Sequence, residues 1–214
     1  MSFTSVWRGF LDLVAPRRCA ACDEPLDPEA RAFCEPCAIL LDPGERVGGG
    51  MSGYVYGGPM AEAVRRLKYG RRTELAPVLG AMLAARAIEL SGEVDAVVPV
   101  PLHRARLRRR GFNQAALLAR PVAKMLAVPL VTSALVRLRD TPPQAGLDAA
   151  GRLRNVRGAF VALSAPAGRV LLVDDVRTTG ATLAECAEAL SIAGAERVLT
   201  LVLAGAEIAD DRAE

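Results

Sequence analysis

The chain has 214 residues, of which 51% are hydrophobic, 24% charged and only 4% aromatic, and its formal net charge is +3. That length holds one α/β domain with a small appendage, and the shortage of aromatics asks for a core of Ala, Leu and Val, as where helices pack on a sheet, rather than an aromatic-rich barrel. A charge of +3 does not by itself call for a polyanionic partner, and no run of 18 apolar residues is present to span a membrane.

In chain order, Phe3, Val6, Trp7, Phe10, Leu11 and Val14 fall at helical spacing, interrupted by Arg8 and Asp12. This predicts a short amphipathic helix. A signal peptide would have a basic start and an unbroken apolar stretch, so the expected compartment is the cytoplasm. Residues 1–45 carry four of the five cysteines together with Pro16, Pro25, Pro28, Pro36 and Pro43, a composition suited to an irregular, metal-held module. Gly48-Gly49-Gly50 and Gly53 mark a turn or hinge, and residues 46–214 form the expected main domain. Within it Tyr54–Tyr56 is a short strand candidate. Helical periodicity runs over Met60–Lys68 and Glu74–Leu90, with a break at Gly70–Thr73. Val94–Val100 reads as a buried strand, Asn113–Leu126 as a helix and Leu130–Leu138 as a strand. Pro142, Pro143 and Gly146 make a loop. Arg169–Val173 is a strand, Thr179–Ala193 a helix closed by Gly194, and Arg197–Leu203 a last strand. Strands alternating with helices predict an α/β fold with a mostly parallel sheet covered on both faces.

Cys19-Ala-Ala-Cys22 and Cys34-Glu-Pro-Cys37 are two CxxC turns. Each turn brings two sulfurs to one point, and two complete a tetrahedral site. Four thiolates suit structural zinc, with iron the alternative. Disulfides are disfavoured in a reducing compartment, and a thioredoxin-like role lacks its βαβ context. Cys186 reads as a small buried helix residue.

The stretch Val170–Thr182, VLLVDDVRTTGAT, runs from an apolar strand into Asp174 and Asp175, then a Thr/Gly loop, then a helix. Ligands of open α/β sheets gather at the carboxyl ends of the strands, and a helix N-terminus offers free N–H groups and a positive dipole end. Thr178, Thr179 and Thr182 add hydroxyls and Gly180 admits a close backbone approach, which together make a phosphate cradle. No Gly-Lys-Ser/Thr follows, so it is not a Walker loop. Paired carboxylates accept hydrogen bonds from vicinal ribose hydroxyls and help hold Mg²⁺. Phosphate, diol and metal together describe a phosphorylated ribose.

These thirteen residues resemble the 5-phosphoribosyl-1-pyrophosphate (PRPP) signature of type I phosphoribosyltransferases. Val97–Gln114, VVPVPLHRARLRRRGFNQ, resembles the pyrophosphate loop of the same fold and, more narrowly, the signature of the ComF family, associated with bacterial competence and DNA uptake. Leu67-Lys68-Tyr69-Gly70, Gln144–Leu147, Arg152 and Asn155–Phe160 resemble that family too. The resemblance implies a type I phosphoribosyltransferase-like domain carrying a zinc-ribbon-like module. It further implies that Asp174 and Asp175 hold the ribose, that Thr178, Thr179, Gly180 and Thr182 hold the 5-phosphate, and that Val100, Pro101, Arg109 and Arg110 meet pyrophosphate with Mg²⁺.

Arg104, Arg106, Arg108, Arg109 and Arg110 put five guanidinium groups into seven residues, read as a basic loop. Arginine grips phosphate oxygens bidentately. Part of the run could therefore meet pyrophosphate and the rest single-stranded DNA, or all of it could be a solvated basic turn. His103, the one histidine, reads as structural rather than as a general base, and Lys68 as either a pyrophosphate contact or a surface residue. Arg177 is a small departure from the resemblance, many relatives carrying a smaller residue there, and could face solvent or reinforce the phosphate site. Two function classes stand open: a phosphoribosyltransferase of unknown acceptor, and a non-enzymatic ligand-sensing or DNA-binding module that works with the helicase motor of DNA import. The resemblance puts Arg152 and Asn155 in a hood-like loop, with a surface turn the other reading; the insert Gly53–Glu89 could also supply a hood over the sugar, but nothing in it announces a base pocket.

Overall fold

The computed structural model describes residues 17–70, 72–141 and 149–206. The amphipathic stretch before residue 17 and the Pro142–Gly146 loop lie outside them. After a short helix, α1 (Glu35–Ala38), the strands and helices are β1 (Arg46–Val47), β2 (Gly50–Val55), α2 (Gly58–Tyr69), α3 (Leu75–Ala87) with a 3₁₀ turn at Ile88–Leu90, β3 (Ala96–Pro99), α4 (Arg104–Arg110), α5 (Gln114–Leu126), β4 (Leu135–Arg137), α6 (Ala149–Val156), β5 (Phe160–Ala162), β6 (Arg169–Arg177), α7 (Ala181–Ile192) and β7 (Arg197–Gly205).

The main sheet has the order β1-β2-β7-β6-β3. β2, β7, β6 and β3 are parallel, and β1 adds an antiparallel edge. β6 is therefore paired on both sides, which is why RVLLVDDVR is apolar almost throughout. Its residues alternate between two cores. Leu171 and Val173 join α3, α5, the 3₁₀ turn and the cysteine segment on one face. Val170 and Leu172 join α7 and the separate β4–β5 pair on the other. Leu171 and Leu172 are fully buried, so truncating either to alanine would cost about 2–5 kcal/mol.

The two helices over the first face pack unusually closely. A Cβ on Gly80 of α3 would lie 2.9 Å from Cγ of Pro121 in α5, so the missing side chain is what lets the proline ring seat there. Cys19, Ala20, Ala32 and Phe33 share the same apolar cluster. The segment before β1 also borders the sheet, with Val55 N–H donating to the Asp42 carbonyl at 2.9 Å and Pro43 bridged to Tyr54.

Three sequence expectations are corrected. Leu130–Leu138 is not one strand: Leu130 makes a single bridge to Val97, the chain turns, and only Leu135–Arg137 is extended, paired with β5 instead of the main sheet. The arginine run is a helix, not a loop. His103 caps it by accepting from Ala105 N–H at 3.3 Å, and Gly111 closes it in the left-handed conformation at φ 87°. Arginine is a good helix former, so between a cap and a glycine the run needs no apolar periodicity to coil. The helix after the phosphate loop starts at Ala181, because Thr179 and Gly180 are used in the turn. Among the described residues no helix is long and apolar enough to cross a membrane.

Candidate functional site

β6 and β3 deliver their carboxyl ends side by side, with Val100 N–H donating to the Val173 carbonyl at 2.9 Å. Asp174 and Asp175 follow at once and are 9% and 2% exposed. Asp175 N–H donates to Asp174 Oδ1 at 2.8 Å. Burial and the neighbouring Asp175 charge push the Asp174 carboxyl well above its usual range, against the pull of Lys68. Lys68 Nζ, from the last turn of α2, lies 2.9 Å from Asp175 Oδ2. Burial would lower the Lys68 pKa, but Asp175 and then Asp174 outweigh it and hold the ammonium charged. Asp175 Oδ2 is nonetheless a buried oxygen with no aligned donor. Lys68 is its one ion-pair partner among the described residues, at 2.9 Å.

These carboxylates form one wall of a cavity of about 270 Å³. The cavity is also lined by Val100, Pro101, Arg109, Arg110 and Thr182, so it gathers seven of the ten ribose- and phosphate-site residues expected from sequence. The other three, Thr178, Thr179 and Gly180, line an adjoining notch of about 20 Å³ that shares Val176 and Thr182 with it. Gly180 holds φ 79°, turning the chain into α7, whose first residues Ala181, Thr182 and Leu183 line the notch.

The structure sorts the arginines of the run and adds Arg137 and Gln114, which the sequence did not single out for this site. Arg106, Arg109 and Arg110 lie at i, i+3 and i+4 of α4 and line the cavity; Arg104 and Arg108 do not. Arg106 is held by the Asp140 carboxylate at 2.9 Å and by the Thr141 carbonyl. Arg137 of β4 reaches in from the other side, over the Phe160 ring at 5.2 Å and bonded to Thr141 Oγ1 at 2.5 Å. Burial and then Arg106 depress its pKa, and its Nε is buried without a partner. Gln114 is buried beneath Arg110, which donates to its Oε1. Asn113 pins the β3 end by donating to the Val100 carbonyl at 3.0 Å while its Oδ1 caps α5. Five cations, Lys68, Arg106, Arg109, Arg110 and Arg137, thus face two carboxylates across one cavity. A helical spacing of arginines could have revealed Arg106; Arg137 carries no local signal. His103 serves as a helix cap. Arg177 reaches back to Ser52 Oγ at 3.0 Å, anchoring β6 to β2 across β7.

Some distance along the chain, the sulfurs of Cys19, Cys22, Cys34 and Cys37 all lie within 4.8 Å of one another. None is in a disulfide. Cys34 N–H and Ala21 N–H point at Cys19 Sγ, at 3.4 and 3.5 Å. Burial opposes ionisation of Cys19, but backbone donors from Cys22, Cys34 and Ala21 outweigh it and draw the thiol down to about 6. Burial and the three neighbouring sulfurs push Cys37 up to about 12. Four thiols this close cannot all ionise unless a cation joins them, and the set could hold a metal ion. The knot is tied to α2 and the turn after it through Asp23, in the left-handed conformation at φ 69°, which pairs with Arg66 at 3.1 Å and with Arg72.

No family model matches the chain. "DNA utilization protein YhgH" of Escherichia coli K12 is 36% identical over 149 residues, 67% of this chain and 66% of that protein. "Competence protein F" of Haemophilus influenzae is 35% identical over 157 residues, 69% of each. The chain therefore spans about two thirds of the length of these relatives. Solved structures that resemble it are phosphoribosyltransferases at low TM-scores. The adenine phosphoribosyltransferase of Leishmania donovani has a TM-score of 0.43 and 13% identity, covering 76% of this chain and 75% of that one. The PRPP amidotransferase of Bacillus subtilis has a TM-score of 0.39 and 26% identity, covering 58% and 25%. Strand order, the cavity at the sheet's carboxyl edge and the clustered sulfurs define a mostly parallel α/β protein with an N-terminal four-cysteine knot. The chain belongs to the ComF family of competence-associated proteins.

Proposed function

We propose that this protein binds PRPP with Mg²⁺ in the cavity between β6, α4 and β4, and that it does so in the service of DNA uptake. The observation that carries the reading is one cavity with a buried carboxylate pair on one wall and Arg106, Arg109, Arg110 and Arg137 on the others. Asp174 and Asp175 would accept hydrogen bonds from the ribose diol. The notch at Thr178, Thr179, Gly180 and Thr182 would take the 5-phosphate on hydroxyls and helix N–H groups. The arginines, with the backbone at Val100 and Pro101, would take pyrophosphate. Asp175 Oδ2, buried with no aligned donor, suits a hydroxyl or a metal-bound water. Magnesium bound with the ligand would offset the pyrophosphate charge. If a group is transferred, these residues act by holding the anomeric carbon in place and stabilising charge on the departing pyrophosphate.

The four-cysteine knot fits zinc: thiolate donors only, four of them, mutually close and closed to a substrate. Its role in this reading is structural, as a module of residues 1–45 beside the main domain of 46–214, and reduced thiols match a cytoplasmic setting. A second reading rests on α4 itself. Arg104, Leu107 and Arg108, at i, i+3 and i+4, are exposed and do not line the cavity. That stripe would meet single-stranded DNA, or the helicase that imports it, while the inner arginines would hold the ligand.

Isothermal titration with PRPP and Mg²⁺ tests the main reading. Binding by the parent and none by the Asp174→Asn, Asp175→Asn double variant is expected; no heat from the folded parent overturns it. Pyrophosphate release against a panel of acceptors separates transferase from sensor. Gel shifts with single-stranded DNA over a salt series test the second reading, which fails if Arg104→Ala with Arg108→Ala leaves the salt slope unchanged.

A further inference from the structure

β6 is gripped on both sides only as far as Val173. There β3 ends, with Pro99 opposite Val173 and the Val100 N–H on its carbonyl. From Asp174 to Arg177 the strand is paired with β7 alone, and Arg177 is the last residue before the loop that forms the Thr178–Thr182 notch. At that point a second fastening crosses the sheet. Arg177 Nη2 donates to Ser52 Oγ of β2 at 3.0 Å, spanning β7, which lies between the two strands. We infer that Arg177 and Ser52 are a positioning pair for the notch, fixing where its loop starts and hence how tightly it holds the 5-phosphate of a sugar. The inference rests on the phosphoribosyl reading above. Both residues act through the loop backbone and not by contact with the ligand.

Gly205 opens the path between them. It is the partner of Arg177 in the β6–β7 register. A Cβ there would overlap Ser52 Oγ and stand 3.1 Å from Arg177 Nη2, so a residue without a side chain is what lets the guanidinium cross β7. The backbone is fastened at the same residues. Ala206 N–H donates to the Arg177 carbonyl at 2.8 Å, and Tyr56 N–H to the Gly205 carbonyl at 2.7 Å. Three strands are thus tied together immediately ahead of the loop.

A hydroxyl hidden from water costs free energy unless it is bonded. Ser52 is 3% exposed, and among the described residues the other buried polar side chains are Gln114, Thr141, Asp174 and Asp175. Those four all serve cations of the carboxylate cavity. Gln114 accepts from Arg110, Thr141 from Arg137, and the two aspartates hold Lys68 charged. Ser52 repeats the arrangement for Arg177, the one charged residue among those that line the notch. The arginine depends on that bond in turn. Its Nε is buried without a partner, so Ser52 Oγ is the single side-chain acceptor of its guanidinium among the described residues. Removing the hydroxyl strands a desolvated cation at the root of the loop.

The test sets two ligands against each other on the full chain. Ribose 5-phosphate needs the notch; inorganic pyrophosphate with Mg²⁺ meets the arginines of α4 and Arg137 instead. Isothermal titration follows the parent, Ser52→Ala, Arg177→Gln and the double variant. Each single variant is expected to weaken ribose 5-phosphate about fivefold, roughly what one hydrogen bond contributes, and to leave pyrophosphate affinity unchanged. The double variant should lose no more than either single one, because both remove the same contact. Retained pyrophosphate binding also reports that each variant is folded. Ribose 5-phosphate affinity unchanged in Ser52→Ala refutes the pair; if Arg177→Gln alone weakens it, the arginine acts by its charge and not through Ser52. Equal loss of both ligands refutes the pair as well, since a general loosening of the fold does that. A parent that binds both ligands, with variants that match it, overturns the pair and leaves the phosphoribosyl reading standing. If the folded parent binds neither, that reading falls and takes the pair with it.

Discussion

Lys68→Ala isolates the electrostatics of the site from any ligand. The substitution removes the cation 2.9 Å from Asp175 Oδ2 and leaves two adjacent buried carboxylates. Breaking a fully buried pair costs about 3–5 kcal/mol; Lys68 is one-fifth exposed, so water partly screens it and the expected loss at pH 7 is about 2–3 kcal/mol. In a chain of this length that corresponds to a fall in Tm of roughly 5–10 °C. The pH dependence carries the sign. Asp174 already has a raised pKa, so the folded state binds more protons than the unfolded state, and stability declines as pH rises from the unfolded carboxyl value toward the folded one. Removing Lys68 raises that pKa further. The gap between parent and variant should therefore be small where Asp174 is protonated and widen as it ionises. Urea unfolding at pH 5 and pH 7 reads it directly, with unchanged m-values. Asp175→Asn on the Lys68→Ala background should recover much of the loss, since it removes the uncompensated charge. A variant within about 0.5 kcal/mol of the parent at pH 7, which is the scatter of an ordinary surface substitution, would refute the pairing described. So would a double variant no more stable than Lys68→Ala.

Elsewhere, Gly180→Ala meets no atom within 4 Å but must hold φ 79°. Its cost is backbone strain alone, about 1–2 kcal/mol by chemical unfolding, and no measurable loss would show that the loop does not keep its left-handed turn. Purified protein should carry one zinc per chain by elemental analysis, lost with Cys34→Ser; a coloured iron chromophore or a disulfide on a non-reducing gel would overturn the assignment. Asp95 takes a side-chain fork and a backbone N–H from Arg169, which pull its carboxyl down to about 2. A depressed carboxyl contributes stability above its unfolded value, so the difference between parent and Asp95→Asn should be full above about pH 4 and vanish as pH falls toward 2. A difference constant across that range would show that the pair does not form.

The parts of this molecule that were legible in sequence are those where one local pattern decides the outcome. An apolar run ending in Asp174-Asp175 could only be an interior strand delivering two carboxylates to a sheet edge. Two CxxC turns could only bring four sulfurs together. The Thr/Gly loop gave its own turn through Gly180. What was missed depends on pairing at a distance. Arg137 enters the site because β4 leaves the main sheet to pair with β5, and nothing in Leu135–Arg137 foretells a partner 25 residues on. The arginine run hid its helix because every residue but Ala105 and Leu107 is charged, leaving no apolar stripe to count. Lys68 reads in sequence as either a pyrophosphate contact or a surface residue, and only the fold sets it against Asp175.

The clamp at Asp23 gives the cysteine knot a reach beyond its own turn. Asp23 follows Cys22 directly, and the residue it grips, Arg66, precedes Lys68 by two positions on the same helix. Asp23 thus joins the cysteine knot to the helix whose last turn carries Lys68 to Asp175, so the sulfur cluster and the carboxylate wall hang on one element.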